Sequence, residues 1–138
     1  MGNGKAMALR VLVADDEPHI RAVVVRIVEA LGAEVVAEAG DGRQAVDLFL
    51  AHRPDVVILD VNMPLLTGDR ALARMVQADP RVVAVMMTAQ DTADAVRGCL
   101  DLGARDYILK STPAQEIFHL LKEAWPQYER EVRDRVPS

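Results

Sequence analysis

Residues 55–64 read Asp-Val-Val-Ile-Leu-Asp-Val-Asn-Met-Pro. Val56 to Leu59 stand in a row with no polar alternation, so a strand built from them has no face to offer water. Strands of that kind belong to parallel sheets covered by helices on both sides. The run ends on a carboxylate, Asp60, directly before a loop marked by Pro64 and Gly68.

Working outward, similar apolar runs begin near Leu9 (LRVLVA), Glu34 (EVVAEA), Arg81 (RVVAVMM) and Arg105 (RDYILK). Between them lie helical patterns. Ile20, Val23, Val24, Ile27, Val28 and Leu31 follow the i, i+3, i+4, i+7 spacing, as do Ile117, Leu120, Leu121 and Ala124 near the end. Weaker versions cover Ala45 to Leu50, Ala71 to Val76 and Val96 to Leu100. Pro18 suits a first helical turn, Gly32 and Gly103 suit helix C-termini, and Pro54 and Pro80 halt helices before the third and fourth strands. Strand and helix alternating in this way predict an α/β fold, a five-stranded parallel sheet doubly wound by helices. It fills residues 8–125, after an N-terminal extension over 1–7. Pro126, a helix breaker, is expected to open a charged tail or linker stub over 126–138.

The 138 residues are one domain's worth of chain, 51% hydrophobic and 27% charged. With 4% aromatic residues the core must be mostly aliphatic. A net charge of −5 with no basic cluster argues against direct nucleic-acid binding, since no array of cations is there to displace the counterions of a phosphate backbone. The apolar runs are far short of the roughly 18 residues a membrane span needs. No secretory signal is legible, and Ala6 stands where an acylation motif after Met1-Gly2 wants Ser or Thr. Cys99 has no cysteine to pair with and sits between Val96 and Leu100 as a helix packing residue. A cytoplasmic protein is the expectation.

In a doubly wound sheet the ligand crevice lies beyond the carboxyl ends of the strands. Asp15 and Asp16 follow the first strand, Asp60 ends the third, Thr88 follows the fourth and Lys110 ends the fifth. Each has an ordinary reading. The Asp pair could favour the start of the helix at Pro18, Asp60 could form a turn, Thr88 could be a turn hydroxyl and Lys110 an exposed strand end. Their convergence on one edge is what favours a site. Two carboxylates 4 Å apart repel by roughly 4 kcal/mol at an effective dielectric near 20, so three of them call for a cation. Oxygen donors without His or Cys point to a hard ion, and the small number of acids suits Mg²⁺. Such an ion, an ammonium, a hydroxyl and a spare carboxylate are the parts of phosphoryl transfer, with Asp60 as acceptor.

These positions resemble the receiver domain of two-component response regulators: Asp15-Asp16, Asp60-Val61-Asn62-Met63-Pro64 with Gly68, Thr88-Ala89, and Gly103 through Asp106-Tyr107-Ile108-Leu109-Lys110. The resemblance spans residues 8–125 and implies the flavodoxin-like strand order 2-1-3-4-5. It implies that Asp60 accepts a phosphoryl group from a sensor histidine kinase, a phosphotransfer protein or a small phosphodonor. Asp16, Asp60 and the Asn62 carbonyl would bind Mg²⁺, with Asp15 acting through a water. Lys110 would pair with a phosphoryl oxygen, and Thr88 and Tyr107 would form the switch. The face of helix four, strand five and helix five would then control a partner protein or a fused output domain. Asn62 and Gln90 would border the path of the water that removes the phosphoryl group. One departure is Ser111, where the family often has a cis proline after the lysine. The wording Lys110-Ser111-Thr112-Pro113, with Glu38 to Gly42, is similar to receivers that precede helix-turn-helix domains, so the excised receiver of a DNA-binding regulator is an alternative.

Two other classes fit less well. A Mg²⁺-dependent aspartyl phosphatase usually has an acid two positions after its nucleophile, where this chain has Asn62, which cannot shuttle a proton. The expectation is therefore a phosphoacceptor that loses its phosphate slowly, and not an enzyme. A flavin or nucleotide binder needs a small-residue loop after the first strand, whereas Asp15-Asp16-Glu17 is its electrostatic opposite.

Overall fold

The computed structural model describes residues 8–89 and 92–135. Among these residues five strands alternate with five helices: β1 (Arg10–Ala14), α1 (Pro18–Ala30), β2 (Glu34–Ala39), α2 (Gly42–His52), β3 (Val56–Asp60), α3 (Gly68–Ala78), β4 (Val83–Thr88), α4 (Ala93–Asp101), β5 (Asp106–Leu109) and α5 (Ala114–Asp134). The strands form one parallel sheet in the order β2-β1-β3-β4-β5. Both the doubly wound class and the strand order are as expected. At the rim, β2 slips register against β1, so that Val11 faces Val35 but Leu12 faces Ala37 and Val36 is the extra residue of a bulge.

The unbroken apolar runs are explained by a core on each face. Val11, Val13, Val56, Ile58, Val83 and Val85 point to the side covered by α1 and α5, where Val24, Val28, Ile117 and Leu121 meet them. The alternate residues Leu12, Ala14, Val57, Leu59, Ala84 and Met86 point to the other side, against Phe49, Leu72, Met75 and Cys99. Successive residues thus leave water in opposite directions, each large side chain contributing about 1.5–3 kcal/mol.

The punctuation falls where it was read. Pro18 occupies the first turn of α1, and Gly32 and Gly103 follow helix ends at φ +93° and +106°, a backbone region that favours glycine. Asp41 caps α2 by accepting from the Gln44 amide at 2.7 Å. No cis peptide occurs among the described residues, so Lys110–Ser111 is trans.

The tail corrects an expectation. Pro126 does not open a frayed segment: α5 runs through it to Asp134. An interior proline removes one helical hydrogen bond and costs about 3 kcal/mol. Long-range contacts outweigh it. Tyr128 and Val132 are buried, Trp125 and Tyr128 pack edge to face at 5.7 Å, and the Tyr128 hydroxyl donates to Asp106 at 2.5 Å. Glu131 pairs with Arg105, and Arg135 donates to the Asp55 carbonyl at 3.3 Å.

Candidate functional site

The carboxyl ends of β1, β3, β4 and β5 carry the residues expected there. Asp15 follows β1 and is buried, its amide bonded to the Ala39 carbonyl at 3.0 Å. Asp16, the next residue, is exposed. Asp60 is the buried last residue of β3. Thr88 is the buried last residue of β4, and its carbonyl accepts from the Lys110 amide at 2.8 Å, tying the ends of β4 and β5 together.

The loop after Asp60 is held by glycines. A Cβ on Gly68 would lie 2.0 Å from the Asp60 carbonyl oxygen, so only glycine lets α3 begin against that peptide. The Gly68 amide then donates to the Val61 carbonyl at 2.7 Å. Gly42 plays the matching part across the loop, where a Cβ would meet the Leu66 carbonyl oxygen at 1.8 Å.

Lys110 sits at the centre of the acids. Its Nζ donates to Asp60 Oδ2 at 3.1 Å, to Asp15 Oδ1 at 3.1 Å and to Glu17 Oε1 at 2.6 Å. Asp15 Oδ1 also accepts from the Glu17 amide at 2.9 Å, and Asp60 Oδ1 from the Asn62 amide at 3.1 Å. Asp15 Oδ2 lies 3.1 Å from the same ammonium, yet is buried and accepts no hydrogen bond. Three carboxylates therefore share one ammonium, with Asp16 beside them.

The imbalance moves protonation. Burial is the main force pushing the Asp60 carboxyl up to about 6; the Lys110 hydrogen bond opposes it and the charge of Asp15 reinforces it. Burial alone would lower the Lys110 ammonium, but hydrogen bonds to Glu17, Asp15 and Asp60 win and hold it above its ordinary range. Glu17 moves down, through its hydrogen bond to that same lysine.

Asp15, Asp16 and Asp60 each present an oxygen, all within 4.8 Å of one another. A purely oxygen donor set with an orphaned buried oxygen at Asp15 is the kind of site a hard divalent ion such as Mg²⁺ fits. Asn62 stands at the rim, two residues beyond Asp60 and exposed. Tyr107 is half-buried on β5, packed at the margin of the second core, and its strand partner is Met86. Gln90 lies outside the described residues.

Sequence reasoning missed two participants. Glu17 makes the shortest contact to Lys110, and its place in the run Asp15-Asp16-Glu17 was the available signal. Arg21 donates from Nη1 to the Asp15 carbonyl at 2.7 Å and from Nε to Glu38 at 3.3 Å. Nothing in the sequence links Arg21 to β2, because that contact exists only once the strands pair.

Comparisons with known proteins bear on the family and the fold. Residues 11–122 match the model of the response regulator receiver domain. The chemotaxis protein CheY of Bacillus subtilis is 34% identical over 117 residues, 85% of this chain and 98% of that protein. The transcriptional regulatory protein PdtaR of Mycobacterium tuberculosis is 36% identical over 128 residues, 92% of this chain and 61% of that protein. Among solved structures, a chain of the CheX–CheY–BeF3–Mg²⁺ complex from Borrelia burgdorferi superposes with a TM-score of 0.79 at 25% identity, covering 85% of this chain and 89% of that one.

Proposed function

The chain belongs to the response regulator receiver family, and from that premise we propose that Asp60 is its phosphoacceptor, used in a Mg²⁺-dependent reaction with a histidine kinase, a phosphotransfer protein or a small phosphodonor. The observation that carries the reading is Lys110 bridging Asp15 and Asp60 among four acids, with an oxygen of Asp15 left without a hydrogen bond.

Asp15, Asp16, Asp60 and the Asn62 carbonyl would hold Mg²⁺, which supplies neutralising charge for the carboxylates and for incoming phosphoryl oxygens. An Asp60 carboxylate oxygen attacks the phosphorus of a phosphohistidine. The new O–P bond forms as the P–N bond breaks, and its electron pair returns to the imidazole. Lys110 pairs with a phosphoryl oxygen as charge leaves the Asp60 carboxylate. The Asn62 amide bond to Asp60 Oδ1 fixes the carboxylate plane, leaving Oδ2 on the lysine side. Loss of the phosphate is attack by water on phosphorus, which restores the Asp60 carboxylate and releases inorganic phosphate. Asn62 offers no proton shuttle at the position where an aspartyl phosphatase needs one, so this route is slow.

A phosphoryl group adds nearly two negative charges and three strong acceptors. That is enough to draw in the Thr88 hydroxyl, with Tyr107 turning inward beside it. The face of α4, β5 and α5 is then the output, read by a partner protein or an attached domain. We place this activity in the cytoplasm; among the described residues no helix is long and apolar enough to cross a membrane. The test is Asp60→Asn. Labelling by radioactive acetyl phosphate with Mg²⁺ is expected to disappear completely while the circular dichroism spectrum stays native. Stoichiometric labelling of the variant overturns the assignment.

A further inference from the structure

We infer that Glu17 is a latch on Lys110, a positioning residue that holds the ammonium in the unmodified protein and must yield it when a phosphoryl oxygen arrives at Asp60. The inference rests on the phosphoacceptor reading and concerns how strongly the modified state is favoured.

A lysine ammonium has three donors, and here three carboxylates take them: Asp15, Asp60 and Glu17. A phosphoryl oxygen has to compete with these acceptors for the same three donors. Asp15 is a poor choice, because its side chain is 3% exposed and a released carboxylate would stay buried without its cation. Asp60 loses its charge on forming the acyl phosphate, and the phosphoryl group it carries takes over beside the lysine. Glu17 is the partner that can leave, since its side chain is 50% exposed and water replaces the lysine at little cost. It is also the partner that pulls hardest on geometry, at 2.6 Å against 3.1 Å for the other two.

Glu17 has no competing duty in the fold. It stands at the N-cap of α1, and its side chain makes no capping bond there. Its backbone is fixed on both sides, by the hydrogen bond its N–H donates to Asp15 Oδ1 at 2.9 Å and by Pro18 in the first helical turn. The carboxylate is thus presented to Lys110 from an anchored position.

The probe is beryllofluoride, titrated calorimetrically at a Mg²⁺ concentration that saturates each variant, so that altered metal affinity drops out. Glu17→Gln keeps the shape and removes the charge. It is expected to bind the mimic about two- to fivefold more tightly than wild type, the range an exposed ion pair supports. The gap should narrow as sodium chloride is raised, because the latch faces solvent. Glu17→Asp keeps the charge but draws its oxygens back by one methylene, and should track Glu17→Gln. Unchanged or weaker binding by Glu17→Gln overturns the latch. So does a Glu17→Asp variant that behaves as wild type, since general repulsion would then explain the gain. If folded wild-type protein fails to bind the mimic with Mg²⁺, the phosphoacceptor reading fails and takes the latch with it.

Discussion

The two ends of the sheet handle charge in opposite ways. At the carboxyl edge, Asp15, Glu17 and Asp60 contact one ammonium and Asp16 lies beside them; Asp15 and Asp60 are buried. At the amino edge the charges come close to balance. Arg105 pairs with Glu131, Arg135 lies 4.0 Å from Asp79, the Arg10 amide donates to Asp55 at 2.9 Å, and Arg81 donates to the Arg135 carbonyl at 3.2 Å. Balanced, partly exposed pairs finish their work when the chain folds. A crowded excess of one sign leaves electrostatic work to be done by whatever binds next. The same sheet therefore has one end that fastens and one end that, on the proposed reading, reacts.

That contrast can be broken at several points. The largest effect on stability should come from the fastening end, but from burial and not from its ion pairs. Tyr128→Ala removes a ring packed against Trp125 together with the hydroxyl bonded to Asp106, and should cost about 3–5 kcal/mol in urea unfolding. A loss below 1 kcal/mol would mean that the helix beyond Pro126 is not part of the core.

At the reacting end the sign reverses. The Asp60 carboxyl is raised from 3.8 to about 6 in the folded chain, so the native state binds its proton more tightly than the unfolded state does. The stability this contributes is fully present below pH 4 and is lost as pH rises through 6. Asp60→Asn should therefore leave the Mg²⁺-free protein more stable than wild type by about 1–3 kcal/mol at pH 8, with the advantage fading as pH falls from 6 to 4. Thermal unfolding in chelator across that range checks it, and a variant less stable at pH 8 would show that the lysine contacts of Asp60 outweigh its burial. The smallest effect belongs to Arg105→Ala, whose partner Glu131 is only part-buried: less than about 1 kcal/mol in the same urea experiment.

What was legible in the sequence follows from which forces are local. Val56 to Leu59 announces a strand with two dry faces because burial shows directly in composition, and the carboxylates mark the ends of strands because they terminate those runs. Pro126 misled for the converse reason. Its penalty is local and visible, whereas the partners that overcome it, Asp106, Arg105 and Asp55, lie 20 to 80 residues away in the chain. The difference between Asp15 and Asp16 was equally hidden. Adjacent aspartates look alike in a sequence, and only the path of β1 into α1 decides which is buried against the lysine and which faces water.

The bulge at Val36 bears on how molecules of this protein meet one another. A flat, open rim of a sheet is a template on which further chains can stack, yet here one rim is kinked and carries Glu34 and Glu38, while the other, β5, is four residues long and starts with Asp106. Both borders are thus guarded against ribbon growth and fibril seeding.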